Sequence, residues 1–171
     1  MDWSDEGYLA LSALNVKKGY IDFSQEAHLG NKELYDKWML GNELHKGQVL
    51  FTTEAPMGNV AQIPDDEKYI LSQRTIAFVV NHEKLREDFL AVLLRTKTVL
   101  SFLEKLSSGG TAKGVSQKAL SKLKIRIPKE IAEQNKVSNL ILKLDKLIKL
   151  YELKYQKLES LKKATLNKMF V

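Results

Sequence analysis

The segment from Glu130 to Phe170 constrains the fold most, because its apolar residues recur at alternating steps of four and three. This spacing places them along one side of an α-helix, as in a coiled coil. The predicted seam consists of Val137, Ile141, Leu144, Ile148, Tyr151, Tyr155 and Leu158, widened by Leu140, Leu147 and Leu161. At about 1.5 Å per residue, such a helix is about 50–60 Å long. We therefore expect it to project from a globular part and to pair with a second helix.

The composition bounds the remaining possibilities. A chain of 171 residues with 44% apolar content can form one compact domain plus an extension. The chain has no cysteine, which excludes a disulfide framework and thiolate chemistry and fits a cytoplasmic location. No apolar run approaches the roughly 18 residues of a membrane span, and no signal-peptide pattern opens the sequence, so we expect no membrane partner. The net charge of +6 favours a polyanion, most commonly nucleic acid.

The first half of the chain is mostly β-like. Residues 8–11 and 15–23, with a tight turn at Lys18-Gly19, predict a hairpin. Asn31 is placed to cap a short helix that ends near Leu40. Further strands are predicted from the β-rich runs at 48–53, 60–63, 69–71 and 75–80.

The second half changes to helical spacing. Residues 85–106 predict two helices or one broken helix, and Ser116 is placed to cap a short helix over 117–121 after a glycine-rich surface loop. Residues 123–128 alternate with period two and end at Pro128, which predicts a strand that closes the sheet before the long helix opens. The predicted fold class is therefore α+β, with a β-rich domain and packed helices over residues 1–128 and a long coiled-coil helix over residues 129–171.

Catalytic patterns are weak throughout the sequence. His28, His45 and His82 are widely separated, and no HExxH motif or His/Cys cluster is present. The glycine-rich segment 109–116 resembles a phosphate loop only superficially, because its lysine precedes the final glycine instead of following it. The carboxylates of segment 65–67 are confined to one loop, where they cannot converge from separate strands. We therefore expect no catalytic residue, no metal site and no nucleotide site.

Binding chemistry remains, in donor-bearing side chains on predicted turns and strand ends. Arg and Lys pair well with guanine and phosphate, and Gln pairs with adenine. For any one of these side chains, ordinary surface polarity is the simpler interpretation. The candidate DNA contacts are Lys17, Lys18, Tyr20, Thr52, Thr53, Gln73, Arg74 and Lys113.

Several short motifs occur in an order that resembles the specificity subunit of type I restriction-modification systems. Gln48 stands where the family usually has aspartate, which is a mild departure. Each motif is weak alone, and the shared order carries the resemblance. The matching segments are Gly19–Phe23, Lys46–Thr52, Gly58–Ala61, Leu71–Arg74, Gly109–Thr111, Ile125–Pro128 and the Glu133-Gln134 pair that opens the long helix.

The resemblance implies a target recognition domain that reads one half of a bipartite site in double-stranded DNA, followed by a conserved spacer helix. Catalysis would belong to partner subunits, namely a methyltransferase (M) subunit that uses S-adenosylmethionine and an ATP-driven restriction (R) subunit. This chain would be non-catalytic and would bind neither cofactor itself. The family's full-length subunit has two recognition domains and two helices, so we expect this sequence to be half of one. It would pair as a homodimer or with another half, and the first segment of its recognition domain would be missing.

A protein of another class remains as the alternative. The chain would then be a coiled-coil adaptor whose β-rich head binds protein, and its positive charge would serve only solubility. Salt-dependent binding to duplex DNA distinguishes the two hypotheses.

Overall fold

The computed structural model describes residues 3–107 and 113–169, and it has the predicted α+β class. Two small three-stranded sheets form the head of the protein, and helices cover them. The elements are β1 (Tyr8–Leu11), β2 (Leu29–Gly30), α1 (Lys32–Met39), β3 (Val49–Thr52), β4 (Val60–Gln62), β5 (Tyr69–Leu71), β6 (Thr75–Ala77), α2 (Glu87–Leu94), α3 (Lys97–Leu106), α4 (Gln117–Leu120) and α5 (Ile131–Met169).

The first sheet has the order β2-β1-β5. Strand β1 pairs antiparallel with β2 and parallel with β5, with Leu9 opposite Tyr69 in the parallel pair. Helix α1 covers this sheet and buries Tyr35 and Met39. The Asn31 side chain accepts a hydrogen bond from the Leu34 amide at 2.9 Å, so the predicted cap is confirmed.

The second sheet has the order β4-β3-β6, and both of its pairings are antiparallel. All four residues of the central strand β3 are buried, because both of its faces are covered. Phe51 on one face packs among residues of α2 and α3, such as Leu94 and Leu103. Leu50 on the other face packs with Leu11 of the first sheet. Strand β3 therefore stands at the centre of the head.

The predicted hairpin over residues 8–23 is wrong, because β1 pairs with β2 and β5 instead. Residues 15–23 form only an isolated bridge between Val16 and Ile21, around the expected turn at Lys18-Gly19. Asn15 explains the change of direction. Its buried side chain accepts from the Ser12 amide at 3.0 Å, and its carbonyl accepts from the Asp22 amide at 2.8 Å. This local network closes a compact loop where continuous strand pairing was expected.

The predicted closing strand over residues 123–128 is also wrong. The segment forms no ladder, although its alternation is real: Leu123, Ile125 and Ile127 are half-buried while Lys124 and Arg126 are exposed. Leu123 and Ile125 pack on the cluster around β3. The period of two therefore reflects side-chain burial of an extended segment and not sheet pairing.

Helix α5 begins at Ile131 and packs its first turns against α2. Gln134 is fully buried there and accepts from the Arg86 amide at 2.9 Å. Its side-chain amide donates to the Lys84 carbonyl at 2.8 Å and to the Pro128 carbonyl at 2.9 Å. From residue 146 to residue 169 the helix is exposed throughout, so its C-terminal half projects from the head as predicted. Over the described ranges, none of the helices is long and apolar enough to span a membrane.

Candidate nucleic-acid interface

The carboxyl end of β3 brings three chain segments to one edge of the head. The Thr53 amide donates to the Arg74 carbonyl at 2.8 Å, and the Val115 amide donates to the Thr53 carbonyl at 2.9 Å. A bridge between Glu54 and Gly114 continues this contact. Lys113 directly precedes Gly114, so four predicted contacts meet here. We call Thr53, Gln73, Arg74 and Lys113 the edge cluster.

Gln73 and Arg74 occupy the tight turn by which the chain passes from β5 in the first sheet to β6 in the second. Arg74 has a φ of +61°, and its side chain is 54% exposed. The Arg74 Nε lies 3.6 Å from a Glu54 carboxylate oxygen, a long and solvent-exposed ion pair. Such a pair contributes little free energy, so the guanidinium can turn to another acceptor at small cost.

A cavity of about 380 Å³ adjoins this turn, and Gln73 and Arg74 form part of its lining. Trp3 and His28 contribute stacked rings, with their centroids 4.8 Å apart and their planes 13° apart. The bridge between Ser4 and Leu29 brings these distant residues together. Aromatic faces beside amide and guanidinium donors can stack on bases and contact base edges or phosphates. Sequence reasoning missed Trp3 and His28, since no local spacing connects them.

The predicted contacts at the 17–20 turn lie elsewhere, against the long helix. Lys18 and Tyr20 line a cleft together with Ile148 and Lys149 of α5. The Lys149 ammonium lies 3.8 Å from the centroid of the Tyr20 ring, within cation–π range. Lys17 is half-buried in the same turn. These residues therefore form a second surface beside the helix, and their role as DNA contacts stays a prediction.

An ion pair fixes the helix beside this cleft. The Arg95 guanidinium donates two hydrogen bonds to the Asp145 carboxylate, at 2.7 and 3.0 Å. Both side chains are about one-quarter to one-third exposed. Because the two hydrogen bonds are parallel, they fix the orientation of the Arg95 guanidinium relative to the Asp145 carboxylate. With Gln134, this pair defines how α5 leaves the head.

Thr52 must be removed from the predicted contacts. It is fully buried, and its hydroxyl donates to the Pro56 carbonyl and accepts from the Asn59 amide at 2.9 Å. The prediction placed Thr52 at an exposed strand end. Because β3 is covered on both faces, its last residue instead closes the turn into β4.

The predicted helix seam lies beside the face that packs on the head. Ile141 is half-buried, while the other six seam residues are between 40% and 66% exposed. At 3.6 residues per turn, the seam is about a quarter-turn away from the face that holds Gln134, Ser138 and Asp145. The head therefore leaves the seam accessible to a second helix.

Two of the three histidines lie close together, although their positions in the sequence are far apart. The ligand atoms of His45, His82 and Glu87 are all within 4.8 Å of one another. We expected no metal site because the sequence has no metal-binding motif with local spacing. The tertiary structure instead brings these three residues together from separate segments.

Comparison with known proteins defines the class. A family model described as "Type I restriction modification DNA specificity domain" matches residues 6–160. The chain belongs to this family. Among solved structures, it is similar to a type I restriction-modification system S subunit from M. genitalium, with 18% sequence identity and a TM-score of 0.55. That match covers 84% of this chain and 33% of the solved one, so the chain spans about a third of that subunit's length.

Proposed function

We propose that the chain reads one half of a bipartite site in double-stranded DNA and directs a type I methyltransferase, and through it the restriction subunit, to that site. The observation that carries this proposal is the edge cluster. In a chain of the DNA specificity family, side chains suited to base and phosphate contacts converge from three segments beside an aromatic-lined cavity. The chain would then determine the DNA sequence at which the complex acts, and its partner subunits would carry out catalysis.

The chemistry of the edge cluster suggests separate roles. Arg74 can make a bidentate contact with guanine once it leaves Glu54, and Gln73 can pair with adenine. Lys113 and Thr53 are suited to phosphates, which position a protein without reading sequence. The rings of Trp3 and His28 would stack on an unpaired base or pack against a sugar.

The long helix is proposed as the spacer between two heads. Its 39 residues correspond to about 58 Å, which is between one and two turns of duplex DNA. Antiparallel pairing along the seam, with a second copy or with another half-subunit, would place recognition heads at opposite ends. The methyltransferase subunit would bind the remaining helix surface, and S-adenosylmethionine and ATP would be bound only by partner subunits.

DNA binding by the edge cluster can be tested by fluorescence anisotropy, using the chain assembled with its methyltransferase subunit and a duplex selected from a random pool. Arg74→Ala should weaken binding by about 5- to 150-fold if Arg74 contacts a base, corresponding to about 1–3 kcal/mol. Lys113→Ala should weaken all duplexes similarly and reduce the slope of log K against log salt by about 0.9. Arg126→Ala and Lys122→Ala remove the same charges from exposed positions outside the cluster and should change little.

A double variant separates the two basic surfaces. Replacing Lys17 and Lys18 together by alanine tests the turn beside α5, with the edge cluster intact. Unchanged affinity in both this variant and Arg74→Ala would remove both surfaces as DNA contacts. Salt-independent or undetectable binding of the wild-type assembly to every duplex would favour the adaptor hypothesis instead.

A further inference from the structure

His45, His82 and Glu87 come from three separate segments and converge at the amino end of β3. His45 lies in the loop before β3, His82 in the loop after β6, and Glu87 is the first residue of α2. Their ligand atoms lie within 4.8 Å of one another. We propose that these three side chains form a binding site for a divalent transition-metal ion of the Zn²⁺ class.

The backbone around each residue is held by hydrogen bonds. The His45 amide donates to the Gln48 side chain at 3.2 Å, and the Gln48 amide donates back to the His45 carbonyl at 3.0 Å. Asn81 closes the loop that carries His82, because its carbonyl accepts from the Lys84 and Leu85 amides, each at 2.9 Å. Glu87 is fixed by its place at the start of α2. The three side chains therefore project from anchored positions.

The distances between the three ligand atoms are close to those of a tetrahedral zinc site, so small side-chain movements would be enough to bind the ion. Zinc binds imidazole nitrogen and carboxylate oxygen at about 2.0–2.2 Å, so neighbouring ligand atoms in a tetrahedral site are about 3.3 Å apart. His45 Nε2 is 2.9 Å from Glu87 Oε1, where a hydrogen bond now joins the two groups. The Glu87 side chain is only 13% exposed, whereas the His45 side chain is 52% exposed, so the His45 ring can rotate at the cost of its exposed bond to Glu87. His82 is also exposed. Rotation of the two imidazoles around the fixed carboxylate would complete the set.

The ligand types select the kind of metal. Two imidazoles and one carboxylate suit Zn²⁺ and similar ions, whereas Mg²⁺ and Ca²⁺ prefer oxygen ligands. With both imidazoles neutral, the group carries a single negative charge, which a divalent ion overcompensates. Three protein ligands also leave a fourth position for water or for a donor from a partner.

The location indicates what such an ion would do. The edge cluster lies at the opposite end of β3, so the metal would not contact the same part of a duplex. The loop that carries His82 also supports the long helix, because Gln134 of α5 bonds to the Lys84 carbonyl and the Arg86 amide. A bound ion would cross-link this loop to the segment that leads into β3 and to the start of α2, and would stabilise the contacts that hold the first turns of α5.

The proposal can be tested by titrating the full chain with Zn²⁺ at about pH 7.5, using isothermal calorimetry or competition with a chromophoric chelator. We expect one Zn²⁺ per chain, and excess Mg²⁺ should not compete. His45→Ala and His82→Ala should each lower the affinity at least about tenfold, because losing even an outer-shell partner of a ligand typically costs about 10- to 100-fold. His28→Ala is the matched control, because it removes the remaining histidine and leaves the group intact.

Glu87→Gln provides a variant that keeps a hydrogen-bond acceptor for His45 while it removes the negative ligand, and it too should bind Zn²⁺ more weakly. Circular dichroism of each variant checks folding, and Glu87→Gln together with His82→Asn serves if His45→Ala does not fold. Wild-type affinity in the ligand variants, or an equal loss in His28→Ala, would show unspecific surface binding and would overturn the proposal.

Discussion

Gln134 holds the base of the long helix, and its replacement by alanine should destabilise the whole chain. The side chain is fully buried and makes hydrogen bonds with three backbone groups, from Lys84, Arg86 and Pro128. Alanine removes all three bonds and leaves the Arg86 amide near the start of α2 without this partner. The truncated volume also leaves a gap between α5 and the 82–86 loop.

The expected loss of stability can be estimated from the three hydrogen bonds that Gln134→Ala removes. A typical intramolecular hydrogen bond contributes about 0.5–1.5 kcal/mol net, and an unsatisfied buried group costs about 1–3 kcal/mol. Three bonds to one side chain are not additive, so we expect a loss of about 2–4 kcal/mol. For a domain of this size, a loss of about 3 kcal/mol corresponds to a decrease in Tm of roughly 9 °C.

Thermal and urea unfolding, followed by circular dichroism and by fluorescence of the head's tryptophans, measure this loss. Gln156→Ala is the matched control, since Gln156 lies on the exposed part of the same helix and should change stability little. Gln134→Glu should lose at least as much stability as alanine, because it keeps the acceptor for Arg86 but turns a carboxylate oxygen toward the Lys84 and Pro128 carbonyls and buries a charge. If the free energy of unfolding of Gln134→Ala is within about 0.5 kcal/mol of the wild-type value, the hydrogen bonds of Gln134 do not hold the base of the helix.

Three further predictions address the seam, the spacer and a buried phenol. Ile148→Lys should convert a dimer to a monomer in sedimentation at tens of micromolar, because it places a charge in the seam; a monomeric wild type would contradict self-pairing. A heptad inserted after Leu147, at the centre of the seam, keeps the seam pattern in register, adds about 10.5 Å between the two heads and should lengthen the recognised DNA spacer by about three base pairs in a methylation assay; an unaltered DNA spacer would show that helix length does not set the half-site spacing. Burial, with a hydrogen bond to Asp65 as the second cause, raises the pKa of Tyr69 to about 12. The unfolded phenol ionises near pH 10, so its contribution should be complete below about pH 10 and lost between about pH 10 and 12, and Tyr69→Phe should show a weaker alkaline loss of stability than the wild type.

Local features of the fold were predictable from the sequence because their signals are local. Asn31 and Ser116 cap the helices that they were expected to cap, with bonds to the Leu34 and Ala119 amides. The strand positions at 49–52, 60–62, 69–71 and 75–77 agree with the β-rich runs. The two-helix alternative for residues 85–106 is also confirmed, and α5 covers residues 131–169 of the long helix predicted over residues 129–171.

Pairing between distant segments was not predictable in the same way. The hairpin and the closing strand failed because burial produces a period of two whether or not a strand has a partner. The choice of β5 as the parallel neighbour of β1 depends on packing across about sixty intervening residues. No spacing rule contains that information.

The residues of the candidate site were also predictable only in part. Gln73, Arg74, Thr53 and Lys113 were chosen as donors on turns, and the structure brings them to one edge. Thr52 was chosen by the same rule and is buried. A donor's residue type is visible in the sequence, but its exposure depends on which faces of its strand are covered. The glycine-rich motif at 109–111 lies outside the described residues.

By itself the sequence determined the family of the protein and the presence of its long helix, through the ordered motifs and the heptad spacing. Those features depend on residues that are close together in the sequence, because hydrophobic periodicity and secondary-structure propensity are local. Only the tertiary structure decided which donors share an edge, how Gln134 and Arg95 orient the long helix, and that His45, His82 and Glu87 converge. These arrangements join residues many positions apart, and their proximity is set by the packing of two sheets and their helices around β3.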